Sequence, residues 1–465
     1  MNLKFILILF TSYLILSSGT VTGSMTLDQN DLLSDSNLQF IQSNINITVS
    51  KSDKYDEGIN IFGLYQGENN LPFSANNSYL TTMDMNGNID SKIASPGRYF
   101  GSMDKINETT FMTMYEHNPM LWNYKTNVTQ TFDFTNHMHH DMAYNPETQT
   151  FMVIEAYLEN VLNETGQPEL MIVDRLREYN MNGDIQWQWN ATNHLDPNVF
   201  FEYYDLVNQT SRAPFRGPGT PPGTFRSIMH TNSIDWDYQH HKIYINVRRM
   251  NQFVKIDYPT GDVDWIAGRG GNFSLIPRQG RNATSLWYTP HDVSYLGNNE
   301  FLMFDNGANN ITAYQSGIPN SERSSILRVK VNESDMTITP VFRWTAPLEY
   351  FSFHWGGAQL LPNGNYLGSF GSWYHATNRT ANPFTTQFGG VAVEVTPQGE
   401  IVWEMKLPYL WGFFRFNRFF PASDSSNSSL SATGDQLPIN FLLPIAVSTM
   451  AVMVIFSKRK LSHNC

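Results

Sequence analysis

Cysteine is all but missing from this chain: there is one in 465 residues, and it is the last, Cys465. An internal disulfide and a thiolate zinc site are excluded together, because each needs at least two thiols. Charge is scarce too, at 15% of residues, and 30 Lys and Arg against 42 Asp and Glu leave a net charge of −12. No nucleic-acid partner is expected, since neutralising phosphates needs a basic face. So few charged residues also argue against helical bundles and coiled coils. In their place stand 14% aromatics, 31 Gly and 23 Pro. Disordered chains lack such aromatics.

Long apolar runs occur only at the ends. Residues 1–23 read Lys4, then FILILFTSYLIL, then the small Ser17, Ser18, Gly19 and Gly23, the order of a cleaved secretory signal. Residues 437–456 (LPINFLLPIAVSTMAVMVIF) are long enough to cross hydrocarbon as a transmembrane helix. Lys458, Arg459 and Lys460 follow, which puts the tail at 457–465 in the cytoplasm. Residues 421–436 are a Ser- and Asn-rich stalk. The expectation is a single-pass membrane protein with its 45–420 domain outside the cytoplasm. About a dozen Asn-x-Ser/Thr sequons fit a glycosylated, extracellular product. Asn46, Asn107, Asn127, Asn190, Asn282 and Asn378 are among them.

The 45–420 region has no sustained 3.6-residue periodicity. Short alternating runs such as KIYINV at 242–247 and VAVEV at 391–395 are broken by Gly, Asn and Pro, which is the all-β signature. One hairpin recurs at 79–92, 178–189, 253–265 and 391–403, with a degenerate copy at 326–344. Its turn is Asn-Gly or Thr-Gly where positive φ is needed, and Trp187, Trp265 and Trp403 close three of the return strands. A second hairpin type alternates with it at 140–155, 230–248, 291–306 and 357–371. Two alternating hairpins make a four-stranded blade, so a repeat of roughly 65–95 residues predicts a β-propeller of about six blades.

Several of the twelve histidines open the second hairpin type: His140 before Asp141, His230 before Asn232, and His291 before Asp292. The first strand of each propeller blade lines the central channel, so these positions converge although distant in sequence. Three imidazoles and Arg248 are expected to meet there. His139 and His140 are neighbours on a strand, so only one is expected to face the channel. His354 lies before another inner strand, and His240 and His241 fall in a solvent-facing turn. Trp236, Tyr288 and Trp355 are candidates for stacking on an aryl ring. Three neutral imidazoles can hold zinc or copper, but Arg248 among them would repel a cation, and no metal or cofactor is expected.

The stretch HTNSIDWDYQHHKIYINVRRMNQFVKID at 230–257 is followed by TGDVDWIAGRGGNF, HDV at 291–293, FDNG at 304–307, GAQLLPNGN at 357–365 and VEVTPQGEIVWE at 393–404. In this order the set resembles the arylsulfotransferase (aryl-sulfate sulfotransferase) family. The resemblance implies a six-bladed β-propeller that moves a sulfuryl group from an aryl sulfate to a phenolic acceptor, without a nucleotide sulfate donor. It further implies that His291 is the nucleophile, transiently sulfated in a ping-pong cycle, and that His140, His230 and Arg248 hold the sulfate oxygens. Asn232, Asp305 and Asn306, in the matching motifs, and His354 are expected to bind substrate. Pro290 stands before His291 where the family often has a polar residue, so the motif does not show what steadies the nucleophile. The alternative is a non-catalytic cell-surface propeller that binds sulfated or phenolic ligands.

Overall fold

Alternating apolar residues between tight turns do become strands, and the strands stack as blades. The computed structural model describes residues 36–421, apart from 68–76, 95–99, 134, 136, 208–210, 215–220, 278–284, 313–321, 373–374 and 377–386. Six antiparallel sheets of four or five strands follow one another along the chain. Blade 2 is Phe100–Lys105, Thr110–Tyr115, Asn118–Asn123 and Val128–Thr131. Blade 3 is Met138–Asn145, Thr150–Leu162, Pro168–Asn180 and Ile185–Asn190. Blade 4 is Thr231–Asp237, Lys242–Val247, Gln252–Asp257 and Val263–Gly268. Blade 5 is His291–Tyr295, Glu300–Asp305, Ser325–Asn332 and Thr337–Thr345, with Ser274–Leu275 parallel at its edge. Blade 6 is Gly357–Leu360, Tyr366–Phe370, Val391–Val395 and Ile401–Lys406.

Blade 1 closes the ring from both ends of the chain. Ile59–Gln66, Ser78–Met83 and Ile89–Ala94 supply three strands, and the innermost is Trp411–Phe419 from the far end. Asn46–Ser50 pairs with Ile401–Lys406 as the outer strand of blade 6. Arg418 clasps the seam: it bonds Asn60 Oδ1 at 2.9 Å and Asp56 O at 2.8 Å, and it pairs with the fully buried Glu394 of blade 6. Removing one partner of such a pair would leave an uncompensated buried charge. The all-β six-bladed propeller expected from the repeats is the observed fold.

The tryptophans of the outer hairpins latch neighbouring blades. The Nε1 atoms of Trp187 and Trp189 donate to Pro259 O and Gly261 O of blade 4 at 2.7 and 3.0 Å. Trp265 Nε1 donates to Glu333 Oε1 of blade 5 at 3.0 Å, and Trp403 Nε1 to Met85 O of blade 1 at 2.9 Å. Each indole thus packs an apolar face between blades and satisfies its single donor there.

Two helices interrupt the β pattern among the described residues that precede and line the ring. Ser36–Asn44 precedes the first strand, with Leu38 and Ile41 buried. Asn198–Leu206 buries Phe200, Phe201, Tyr203 and Tyr204. A nine-residue helix is too short to leave a periodic trace in an aromatic-rich chain. Residues 1–23 and 437–465, where the signal, span and tail were expected, lie outside the described residues, as does the stalk after Pro421. No helix among the described residues is long and apolar enough to cross a membrane.

Candidate functional site

The inner strands carry a repeated device. Asp141 Oδ2 accepts from Ile234 N at 3.0 Å, Ser233 Oγ from Val293 N at 3.1 Å, and Asp292 Oδ2 from Ala358 N at 3.0 Å. In each case a side chain of one blade holds the inner strand of the next. The pairs His140-Asp141, Asn232-Ser233, His291-Asp292 and Gly356-Gly357 are therefore equivalent positions in blades 3 to 6. Bulges opposite Phe62–Leu64 and Thr113–Tyr115 put Phe414-Arg415 of blade 1 and Gly101-Ser102 of blade 2 in the same place. The first member of each pair lies toward the axis. The Phe414 ring is 5.8 Å from His140 and 6.5 Å from His291. Gly357 is required where it stands, since a Cβ there would lie 2.6 Å from Asp292 Oδ2.

His230 precedes Asn232 by two residues, and its ring centroid is 4.5 Å from that of His140. Both His140 and His230 have left-handed backbones, with φ of 63° and 56°. Such conformations in non-glycine residues cost energy and collect at functional sites. Arg248 arrives by a different route. The strand Lys242–Val247 ends in a one-turn 3₁₀ helix, Arg248–Met250, tied back by Arg249 N to Met229 O at 2.9 Å and Arg249 Nη1 to Ser227 O at 2.6 Å. That tie fixes the two arginines beside the residue leading into His230. Arg248 is buried, and Nη2 donates to Phe353 O at 3.2 Å.

The tautomer of His291 follows from its neighbour. Asn306 Nδ2 gives its two hydrogens to Ser352 O and Trp355 O, each at 2.8 Å. Its Oδ1 is therefore an acceptor, and it lies 2.5 Å from His291 Nδ1. Nδ1 carries the proton and Nε2 keeps its lone pair. Pro290 O is held by Asn232 Nδ2 at 2.9 Å and Asn246 Nδ2 at 2.7 Å. The support that a polar residue at 290 would give comes instead from Asn306 and this pair of amides.

Burial is the first cause holding His140, His230 and His291 well below their ordinary value, reinforced by Arg248 and by one another. The imidazoles are neutral in the resting site. Burial also lowers Arg248, and it brings Arg249 to about 10. Among the described residues neither arginine has a carboxylate within ion-pair distance, and the Nε of each is buried without a protein partner. A buried guanidinium facing neutral imidazoles is complementary to an anion with several acceptor oxygens.

Below this cup the axis is crossed by a strut. Arg415, on the inner strand of blade 1, reaches Asp141 at 3.0 Å, Asp292 at 3.2 Å and Asn232 O at 2.9 Å. Its partners lie in blades 3, 4 and 5, across the ring. The two carboxylates raise Arg415 against the effect of its burial. Asp104, Asp235 and Asp292 are pushed up, by burial first, Asp235 to about 6.

A family model described as Arylsulfotransferase (ASST) matches residues 30–411, most of the chain. The chain belongs to the arylsulfotransferase family. Comparison with curated proteins returns no match. Among solved structures, a protein of unknown function from Bacteroides caccae aligns at 11% identity over 78% of this chain and 98% of that one, with a TM-score of 0.39. TolB from Acinetobacter baumannii aligns at 10% identity over 83% and 71% of the two chains, TM-score 0.38. A streptogramin B lyase aligns at 11% identity over 70% and 95%, TM-score 0.34. Likeness at this level carries no argument about function.

In this arylsulfotransferase-family site, His140, His230, His291 and Arg248 come together as the spacing predicted. The other expected residues divide. Asn232 and Asn306 are fully buried and bonded to protein groups, so they position Pro290 and His291 and do not line the cup. Asp305 is farther back, accepting from Tyr288 N and Gly307 N at 2.8 and 3.0 Å and pairing with Arg343 at 2.9 Å. His354 is half-buried, 5.0 Å from the Trp355 ring and close enough to depress His291. Trp236, Tyr288 and Trp355 are buried in blade packing, which removes them as open stacking faces. An exposed ring near the site is Phe353, 47% accessible, with the Arg248 guanidinium 5.9 Å from its centroid.

His240 is exposed in its turn, bonded to Asp237 at 2.9 Å. Sequence reasoning missed Arg415, Arg249 and Phe353. Only Arg415 left a trace, as one of two arginines in the aromatic run WGFFRFNRF at Trp411–Phe419. Of the sequons, Asn46 is exposed, while Asn107, Asn127 and Asn190 are half-buried, with side-chain oxygens accepting local hydrogen bonds. Asn282 and Asn378 lie outside the described residues.

Proposed function

We propose that this protein is an aryl-sulfate sulfotransferase that works through a sulfated His291, without a nucleotide donor. The observation that carries the reading is the buried Arg248, unpaired with any carboxylate among the described residues, beside three neutral imidazoles. Asn306 leaves the Nε2 lone pair of His291 open for attack. An N–S bond forms there as the bond from sulfur to the aryl oxygen breaks, and the aryloxide leaves with the electron pair. A phenol then takes the sulfuryl group from His291 in the reverse sense. Arg248, His140 and His230 surround the sulfate oxygens, where charge shifts during transfer. Phe353 offers the aryl ring an apolar face beside the guanidinium. We further propose an extracytoplasmic location with a C-terminal membrane tether, from residues 1–23 and 437–456.

The test is initial-rate kinetics with nitrophenyl sulfate and a phenol. Release of nitrophenol is expected to depend on the phenol, with parallel double-reciprocal lines. Purified protein silent toward a broad panel of aryl sulfates and phenols would overturn the assignment and favour the ligand-binding alternative.

A further inference from the structure

His139 plays no part in the mechanism above, yet its surroundings are specific. Its Nδ1 lies 2.6 Å from His140 Nδ1, and its Nε2 lies 3.2 Å from Asp174 Oδ1. Asp174 is buried on the third strand of blade 3, and its other oxygen accepts from Thr231 N, next to His230, at 2.6 Å. Side chains from blade 3 and the backbone of blade 4 thus hold a carboxylate, an imidazole and a second imidazole in line. The two rings are nearly perpendicular, at 83°. Adjacent residues on a regular strand point to opposite faces, and the left-handed backbone at His140 is what brings these two together.

We infer that His139 and Asp174 are positioning residues that make His140 the group which gives a proton to the departing phenolate and takes one from the incoming phenol. The inference rests on the sulfotransferase reading. A carboxylate only accepts, so His139 Nε2 carries hydrogen, and a neutral His139 then presents Nδ1 as an acceptor. His140 must donate through its own Nδ1, which leaves its Nε2 as the one atom that changes protonation. In the first half-reaction, protonated His140 passes its Nε2 proton to the aryl oxygen as the bond to sulfur breaks. In the second, neutral His140 takes the proton of the acceptor phenol as that oxygen bonds to sulfur and the N–S bond breaks. Each cycle returns the enzyme to its starting protonation state. No oxidant, metal or outside base enters.

The charged and titratable groups facing His140 are His139, His230, His291, Arg248, Arg415 and the adjacent Asp141, which pairs with Arg415. The two arginines disfavour its cation, as a protonated imidazole would, whereas a neutral His139 accepts from its Nδ1 and favours it. Asp174, reached through His139, is an opposing influence built into the fold. The monoanionic sulfate ester supplies a second. Proton uptake by His140 is therefore coupled to donor binding.

The experiment compares His139→Leu, His139→Gln and Asp174→Asn on two donors. A nitrophenolate leaves readily without a proton, whereas an unsubstituted phenolate does not. The Leu variant is expected to lose about tenfold to hundredfold in kcat with phenyl sulfate and under about threefold with nitrophenyl sulfate. Its alkaline limb should move to lower pH, because His140 has lost the partner that shares its charge. Gln, which can still accept from Nδ1, should restore most of the rate. Equal losses on both donors with an unmoved pH profile would overturn the inference and leave His139 a packing residue. Nitrogen NMR of ring-labelled histidine, with His140→Gln for assignment, reads the tautomer without any turnover. Hydrogen on His140 Nδ1 is expected, and hydrogen on Nε2 alone overturns the proposal. That readout separates its failure from failure of the sulfotransferase reading itself, which would appear as wild-type protein inactive on both donors.

Discussion

At one ring position, blades 3, 4 and 5 carry His140, Asn232 and His291, while blades 6, 1 and 2 carry Gly356, Phe414 and Gly101. The backbone device is shared across the ring, and the side chains are divided. One half brings imidazoles and the amides that fix them. The other brings glycine and the aromatic ring of Phe414, 5.8 Å from His140 and 6.5 Å from His291. Gly101 illustrates the second role, since a Cβ there would lie 2.9 Å from His140 O. Arg415 is the exception that joins the halves, a cation from the apolar side neutralising carboxylates of the chemical side. Under the proposed function, half of the axis is specialised for chemistry while the remainder keeps the ring closed.

The comparison breaks most sharply at His291, the proposed nucleophile. His291→Ala should lower transfer by at least ~10³-fold with the fold intact, as judged by initial rates and thermal melting. Next is the strut. Arg415→Met leaves the buried Asp141 and the half-buried Asp292 without their shared cation, and should cost about 3–5 kcal/mol of stability, read from the denaturant midpoint. Asn306→Ala frees the His291 ring and also releases Ser352 O and Trp355 O, at the entry to blade 6. It should reduce kcat by about 10–100-fold with little change in KM.

A subtler difference concerns acid. His291 is held below the ordinary 6.5, so as pH falls through that value the unfolded chain takes up a proton that the folded site refuses. Stability supported by the neutral ring is present above pH 6.5 and declines below it, by up to about 1.4 kcal/mol per pH unit for one group. Asp235, raised to about 6, acts in the opposite sense as pH falls below that value. The difference in slope between wild type and His291→Asn isolates the imidazole, with wild type the steeper. The smallest effect belongs to the rim. Trp403→Phe removes the donor to Met85 O and should cost about 1 kcal/mol with kinetics unchanged.

What the sequence disclosed follows from how local each signal is. The outer hairpins were legible because Gly87, Gly183, Gly261 and Gly399 occupy left-handed positions that few other residues tolerate. Blade 2 was not, because its turns place Glu116 and Asn127 in that conformation, at φ of 58° and 56°, and no glycine marks them. The convergence of His140, His230, His291 and Arg248 was readable from spacing, since equivalent positions in a ring must meet. The roles of Asn232 and Asn306 were not, because membership in a motif does not say whether an amide turns to ligand or to backbone. Arg415 was hidden for a similar reason: its partners lie across the axis, more than a hundred residues away, and only ring closure brings them near.

The central claim, that the chemical half of the axis works through a covalent His291, has one direct measurement. Protein incubated with an aryl sulfate and no acceptor is digested and analysed by mass spectrometry under conditions that spare phosphoramidate-like bonds. The account predicts one added sulfuryl group on the peptide containing His291, discharged when a phenol is added. An unmodified His291 peptide from protein that still transfers sulfate would contradict it.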